Sequence, residues 1–471
     1  MTAVLDSTAA KLLDVLAREQ AEARLPSLIA GVVRDGELVW WDTRGRVVRR
    51  DEDGRPNLET QYRIGSITKT MTAVLIMQLR DLGLLDLSDP LGMHLPGVAY
   101  GDRSIRQLLS HSSGMQAEPP GSWWERSPGV DFDALSRAIG DGRVVLPSGR
   151  QHHYSNLAYG LLGEVVARLR DSSWEAALHT HLLDPLEMTR TTYFPRAPAA
   201  EGFSVNAFAG TLTGEPTTDT LSMAPAGQLW STLSDLTRYA ALLAGTLVEL
   251  APERLGSSGL PEPEAIISTE TLTEMCIVQS GTPEEGLQAG YGLGVRLVGS
   301  AGRTLIGHTG SMPGFLAGLL VDRGRRTGAV CLANGTAGMR CEGLPLELVT
   351  ILEHHEPALP AEWMPAVQVV SGISEVLGLW HWGEVAHVLT YAESELRLAL
   401  VGDARPARRY RPIGPDRFVG LDGYHTGETL RVVRDDEGGV SHLECATFIY
   451  TRTPYDPAAP IPGGAPGSGQ A

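Results

Sequence analysis

Lysine is almost missing from this chain: Lys11 and Lys69 are the two among 471 residues, and every other basic residue is arginine. Arginine keeps its charge near neutral pH, whereas lysine can release a proton once its pKa is lowered, so a position that has kept lysine is singled out. Cysteine is scarce and scattered, because Cys276, Cys331, Cys341 and Cys445 form no CxxC pair and no metal-ligand spacing. That pattern excludes a disulfide framework and fits unpaired buried thiols in a reducing compartment. Basic charge is short too, 39 residues against 56 acidic ones for a net −17, the wrong sign for a nucleic-acid or anionic-membrane partner. No apolar run approaches the roughly 20 residues of a membrane span. The start, Met1-Thr2-Ala3-Val4-Leu5-Asp6, lacks the basic stretch and apolar core of a secretory signal. These absences predict a cytoplasmic protein with no nucleic-acid and no membrane partner, and nothing in the chain calls for a metal or a cofactor.

What is present is globular. Hydrophobic residues make up 42% and charged residues 20%, which rules out a wholly disordered chain. The length allows two or three domains at roughly 150 residues each. Thr8 to Ala23 carry the period of an amphipathic helix, with Leu12, Leu13, Val15 and Leu16 toward a core. Leu28–Val33, the turn Asp35-Gly36 and Leu38–Trp41 read as an antiparallel hairpin. From Ile67 to about Leu82 a largely buried helix is predicted, stopped by Gly83.

A mostly helical middle follows, broken by a Pro/Gly/Trp-rich loop near residues 117–129, and residues 251–264 read as a surface insertion. Strands return at Tyr291–Val298, Arg303–Gly307, Leu316–Asp322 and Gly328–Asn334. A hairpin first and strands last, with helices between, predict an α+β domain whose sheet joins both ends of the segment. Pro357-Ala358-Leu359-Pro360 opens a linker. Beyond it, Val385–Tyr391, Glu395–Leu400, Tyr410–Ile413, Arg417–Leu421, Thr429–Arg434 and His442–Thr451 predict a small antiparallel barrel or sandwich. The expected organisation is a catalytic domain at 1–356, a linker at 357–366, an all-β domain at 367–453 and a disordered Pro/Gly/Ala tail at 454–471.

Three short motifs carry chemistry. Ser66-Ile67-Thr68-Lys69 stands at the start of the buried helix, which puts Ser66 and Lys69 one turn apart on one face. A serine hydroxyl is a poor nucleophile until a base takes its proton, and a desolvated lysine can be that base. Tyr154-Ser155-Asn156 offers a titratable phenol and a fixed amide dipole just before another helix. His308-Thr309-Gly310-Ser311 follows the strand Arg303–Gly307. A second His-Thr-Gly, at 425–427, lies among the C-terminal strands and reads as a hairpin turn. The adjacent indoles Trp123 and Trp124 cannot both pack alike, so at least one is a candidate to line an apolar substrate cleft.

In this order, SxxK, YxN and HTG resemble the serine β-lactamase and penicillin-binding-protein superfamily, in its class C-like branch. The stretches Leu108–Met115, Ala226–Leu236 and Gly307–Gly314 look like that branch's signatures, and the resemblance covers about residues 8–350. It implies an antiparallel sheet flanked by helices plus a helical lobe. Residue by residue it makes Ser66 the acyl-accepting nucleophile, Lys69 its main proton acceptor and Tyr154 the proton-transfer partner. Asn156 would hold the substrate's amide, the N–H groups of Ser66 and Ser311 would form an oxyanion hole, and Thr309 and Gly310 would line the substrate. One departure stands out: the β-lactamases of the branch have lysine where this chain has His308, which resembles the peptidase, esterase and acyltransferase members.

A cytoplasmic domain of this branch joined to a C-terminal β-domain is similar to the penicillin-binding-protein-type thioesterases, which couple it to a lipocalin-like barrel. That resemblance implies release of a nonribosomal peptidyl thioester, with a D-configured C-terminal residue, by head-to-tail macrocyclisation. A peptidyl carrier protein would be a partner, with Arg405, Arg408, Arg409 and Arg411 as a candidate docking patch. The alternative is a D-stereospecific peptidase or an esterase, with a peptide or ester substrate deacylated by water.

Overall fold

The structure, a computed structural model, describes residues 4–47, 54–246, 266–282, 284, 286, 288–359, 362–363 and 372–456. The expected insertion at 251–264, part of the linker and the tail beyond residue 456 lie outside the described residues. The chain divides into two compact units, Met1–Leu359 and Pro360–Ala471.

The first unit is built on an antiparallel sheet of β1 (Ser27–Arg34), β2 (Glu37–Gly45), β3 (Ala289–Tyr291), β4 (Arg296–Ser300), β5 (Arg303–Met312), β6 (Phe315–Asp322) and β7 (Thr327–Ala333). Its order is β2-β1-β7-β6-β5-β4-β3. The first strand therefore lies against the last, with Leu28 opposite Ala333 and Ala30 opposite Cys331. Both faces are covered, which is why β1 and β6 read as unbroken apolar runs instead of alternating ones. Ile29 and Val33 of β1 enter one core with α2 (Ile67–Asp81), α3 (Asn156–Leu169) and α4 (Leu233–Ala244). Leu28, Ala30 and Val32, pointing the other way, pack with α1 (Asp6–Glu22) and α5 (Gly343–His355). Each fully buried leucine, isoleucine or valine here stabilises the unit by about 1.5–3 kcal/mol relative to exposure.

Two strand expectations need correction. Tyr291–Val298 is a hairpin and not one strand: the chain turns through Gly292-Leu293-Gly294, with Gly292 N–H on the Val295 carbonyl. The turn is glycine-specific, since Gly294 has φ +85° and a Cβ on Gly292 would sit 2.0 Å from the Met275 carbonyl oxygen. Likewise His442–Thr451 splits into Val440–Cys445 and Phe448–Tyr450, with Ala446 at φ +52° between them. The strand expected at Arg303–Gly307 is borne out and runs on to Met312, so His308, Thr309, Gly310 and Ser311 lie in β5 itself.

In the second unit eight antiparallel strands follow one another in chain order, from Gly378–Trp382, missed in the sequence, to Phe448–Tyr450. The ends meet where His381 and Thr451 exchange backbone hydrogen bonds of 2.7 and 2.9 Å, closing the sheet into a barrel. The interior is filled by side chains, among them Trp380, Leu396, Tyr410, Leu430, Leu443 and Tyr450, as eight strands allow. His425 is buried in the turn after Arg417–Gly420 and bonded to the Tyr410 hydroxyl at 2.8 Å, so the second His-Thr-Gly is structural. Arg405 and Arg409 of the expected docking patch are paired with Asp403 and Asp422. Among the described residues no helix is long and apolar enough to cross a membrane.

Trp380 is wholly buried, donates its indole N–H to the Val376 carbonyl at 2.7 Å and lies 3.9 Å from the Arg452 guanidinium. Trp380→Ala is expected to destabilise the second unit by about 3–5 kcal/mol. Urea unfolding followed by circular dichroism measures it, and a loss below about 1 kcal/mol would contradict a packed interior.

Candidate active site

Ser66 sits where the chain leaves a short strand and enters α2. That strand, Tyr62–Arg63, pairs with Trp230–Ser231, and Ile64 N–H bonds the Leu229 carbonyl at 2.9 Å. From the other side β5 comes in at close range. A Cβ on Gly310 would lie 2.0 Å from the Ile64 carbonyl oxygen, and one on Gly65 (φ +52°) 2.5 Å from the Ser311 nitrogen. Glycine at both positions lets the Ser311 backbone approach the helix start, where the first N–H groups lack intrahelical acceptors. No acceptor for the Ser66 N–H is found among the described residues.

The Ser66 side chain does not cap its helix. It is partly exposed and meets Lys69 Nζ at 2.9 Å. Lys69 has no exposed surface at all, and its Nζ donates to the Ala226 carbonyl at 2.5 Å. The Tyr154 and Tyr159 ring centroids lie 5.0 and 5.7 Å from that nitrogen. Burial lowers the Lys69 pKa to about 7, against Glu118 and Glu125, which raise it. Burial pushes the Tyr154 phenol above the usual range, against the Ser66 hydroxyl, which lowers it. At neutral pH the tyrosine is therefore a phenol, and the lysine is the group poised to change charge.

Tyr154 is held by His111, whose ring centroid is 4.2 Å from its own. His111 is fully buried, has φ +55°, and its Nδ1 accepts the Ser155 N–H at 3.1 Å. Its carbonyl accepts the His153 N–H at 2.7 Å, so the Tyr154 segment is pinned on both sides. Asn156, the first residue of α3, donates from Nδ2 to Glu118 Oε1 at 2.8 Å. The two indoles part company. Trp124 is 8% exposed and donates to Glu118 Oε2 at 2.7 Å, while Trp123 is 58% exposed and donates to Glu125 Oε2 at 2.8 Å.

His308, grouped with the catalytic residues on the strength of its motif, is buried in β5. Its Nδ1 is 2.5 Å from the Thr309 carbonyl, an acceptor, so Nδ1 carries the proton and Nε2 accepts from the Tyr291 hydroxyl at 2.9 Å. Its ring centroid is 6.1 Å from that of Tyr154. Burial first, then the Lys69 charge, hold its pKa down at about 3, so it is neutral in the working range. Thr309 is partly exposed beside it, and Ser311 is exposed at the end of β5. Glu118, Glu125 and Tyr291 were missed in the sequence. Neither carboxylate stands at a motif spacing, and Tyr291 reaches His308 only because β3, β4 and β5 are adjacent in the sheet.

A buried lysine against a helix-start serine, beside a phenol, is carried on an antiparallel sheet flanked by helices, a β-lactamase-like α+β fold. The family described as Beta-lactamase matches residues 12–350, and the chain belongs to it. A domain of unknown function (DUF7586) matches residues 369–452. The chain is 29% identical over 244 residues to Beta-lactamase-like protein 2 of Dictyostelium discoideum, covering 48% of this chain and 44% of that one. It is 28% identical over 219 residues to the D-alanyl-D-alanine-carboxypeptidase/endopeptidase AmpH of Escherichia coli, covering 45% and 56%. It thus spans about half the length of these curated relatives. Among solved structures, SurE is 24% identical with a TM-score of 0.57, covering 95% of this chain and 99% of that one. A D-stereospecific amidohydrolase from Streptomyces sp. is 26% identical with a TM-score of 0.57, covering 73% and 98%.

Gly310→Ala is expected to push β5 off the Ile64 carbonyl and to slow fluorophosphonate labelling of Ser66 by about tenfold or more. Gly214→Ala, where an added Cβ meets nothing within 4 Å, serves as control. Equal labelling of the two variants would remove the close approach of β5 from the site's requirements.

Proposed function

We propose that the chain is a serine acyltransferase that forms an acyl-enzyme on Ser66 from a donor with a D-configured terminal residue. In its sharpest form it is a stand-alone thioesterase, which takes a nonribosomal peptidyl thioester from a carrier protein and releases it as a head-to-tail macrocycle. The observation that carries the acyl-enzyme step is the 2.9 Å contact between Ser66 Oγ and a lysine whose pKa is lowered to about 7. Neutral Lys69 takes the Ser66 proton as Oγ attacks the carbonyl carbon. The oxygen that becomes negative is received by the Ser66 and Ser311 N–H groups. Tyr154, a phenol, gives its proton to the departing sulfur and is reprotonated from Lys69. Deacylation runs the same path backwards, with the peptide's own amine attacking and losing its proton to the Lys69–Tyr154 pair.

Support for D-selectivity comes from relatives: the Streptomyces protein is D-stereospecific, AmpH acts on D-alanyl-D-alanine, and SurE has been solved with D-Leu. The two-unit architecture is the one the thioesterase resemblance implies, and SurE and a penicillin-binding protein homologue from Pyrococcus abyssi each match 95% of the chain. A D-stereospecific peptidase or amidase is favoured by the sequence likeness to AmpH and to the amidohydrolase. In that second reading water replaces the amine. The neutral His308 argues against efficient β-lactam turnover, since it offers no fixed positive charge to a carboxylate.

Ser66→Ala is expected to abolish the fluorophosphonate adduct seen by intact-protein mass, and an adduct that persists would move the nucleophile elsewhere. Because Lys69 must be neutral to act, the acylation rate of the wild type is expected to rise through about pH 7 and to level off above it. Lys69→Arg, which keeps charge but not basicity, should lose at least about 100-fold. A flat profile from pH 5 to 9 with near-normal rates in Lys69→Arg would reject lysine as the base.

A peptidyl thioester with a free amine and a D-terminus, run beside its L-terminal twin, resolves the rest by mass of the products. The cyclase reading expects cyclic product from the D-peptide and none after N-acetylation. Linear acid alone, across several chain lengths, leaves the hydrolase, and equal rates for D and L reject D-selectivity in both.

A further inference from the structure

We propose that the first unit holds a second ligand site, a cavity walled by Phe132, Trp174, Tyr193 and Phe194 that takes a small organic cation, an ammonium on an apolar body. The cavity has a volume of about 410 Å³, and none of Ser66, Lys69, Tyr154, Asn156 or His308 lines it. Its ligand need not be the acyl donor, so the site stands apart from the acyl-enzyme reading. The volume falls at the small end of the roughly 300–1,000 Å³ usual for ligand sites. Gly160, Gly163 and Ala167 line it from α3, and their spacing of three and four puts them on one face of that helix. The aromatic walls come from three other segments. Phe132 and Trp174 each open a short helix, Phe132–Ile139 and Trp174–Leu178, while the rings of Tyr193 and Phe194 lie 4.9 Å apart at 60°. Trp174 is 7% exposed, and its indole N–H has no acceptor among the described residues, a cost that a ligand's ring or heteroatom would lift.

The charge around these walls has one sign. Asp131, Glu164, Glu175 and Asp219 share the lining, and among the described residues no lysine, arginine or histidine does. Two of the four are answered by cations outside the lining: Glu164 pairs with Arg168 at 2.9 Å, and Asp219 acts through space on Arg63. Asp131 accepts the Ala134 N–H at 2.8 Å and has no cationic partner among the described residues. Glu175 is exposed, makes no ion pair among the described residues and acts through space on Tyr193. Tyr193 donates to Asp219 Oδ1 at 2.5 Å, and burial first, then the Asp219 and Glu175 carboxylates, push its phenol above the usual range. Phe132 already faces one cation, the Arg168 guanidinium 5.4 Å from its ring centroid, because aromatic faces attract positive charge. An anion would meet four carboxylates. A neutral apolar molecule would fill the walls and leave Asp131 and Glu175 unanswered. An apolar body with an ammonium head satisfies both.

The test titrates the full chain at pH 7 by calorimetry with phenethylammonium, 2-phenylethanol and 3-phenylpropionate, one ring with a positive, a neutral and a negative head. The ammonium is expected to bind with a Kd below about 5 mM, at least about tenfold tighter than the alcohol, and the carboxylate not to bind. Glu175→Gln, at an exposed side chain, should weaken the ammonium about threefold and leave the alcohol unchanged. Ala167→Phe, which fills the cavity from α3, should abolish binding of both, with its fold checked by circular dichroism. Equal affinity for ammonium and alcohol on wild type would overturn the proposal, as would no heat from the ammonium. Undiminished ammonium binding in Glu175→Gln would also overturn it, whether or not Ala167→Phe folds. Glu118→Gln, which removes a carboxylate near Lys69, is expected to bind the ammonium as the wild type does. Binding lost there and kept in Glu175→Gln would put the cation beside Lys69 and defeat the second site.

Discussion

An amine sealed from water is either neutral or costly, and the first unit is arranged around one such amine. Lys69 has no exposed surface, and its nearest carboxylates, Glu118 and Glu125, act on it through space and not by contact. What touches its nitrogen is the Ala226 carbonyl, the Ser66 hydroxyl and the faces of two tyrosine rings. These groups suit a neutral amine as well as a charged one, so the charge can be given up without stranding a counter-ion. An always-charged guanidinium in the same place would have no such freedom. That difference accounts for lysine at this one interior position in a chain whose other basic residues, Lys11 aside, are arginines.

The glycines of the site follow from the same need. In the proposed reaction two developing charges, on the lysine and on the oxygen of the attacked carbonyl, have to be met by groups already in place. Gly65 and Gly310 remove the two Cβ atoms that would hold β5 away from the helix start. His111 does comparable work for the phenol, accepting one backbone N–H with its ring and another with its carbonyl while stacking on Tyr154. The groups proposed to react are thus positioned mainly by backbone contacts, which side-chain rotation cannot loosen.

What could be read in the chain was local or repetitive. Ser66 and Lys69 share one turn of helix, and the runs Leu28–Val33 and Leu316–Asp322 announce strands buried on both faces. The hairpin through Gly292 and Gly294 was not legible, because strand-forming residues flank the glycines on both sides and the reason for the turn is a carbonyl from Met275. The same holds for Glu118. Its partner Asn156 is far along the chain, and a loop rich in proline, glycine and tryptophan has no period from which the docking onto α3 could be inferred. His308 shows a related limit: its motif announces the histidine but not the Tyr291 hydroxyl, brought to its Nε2 by the sheet.

The scarcity of lysine has a practical reach as well. Lys11 is exposed on α1, whereas Lys69 is enclosed. Amine-directed reagents too large to enter the cleft therefore meet one lysine side chain, that of Lys11 on α1. The enclosed amine, its pKa lowered to about 7 by burial, is open to small reagents alone, so reagent size selects which of the two lysines is dressed.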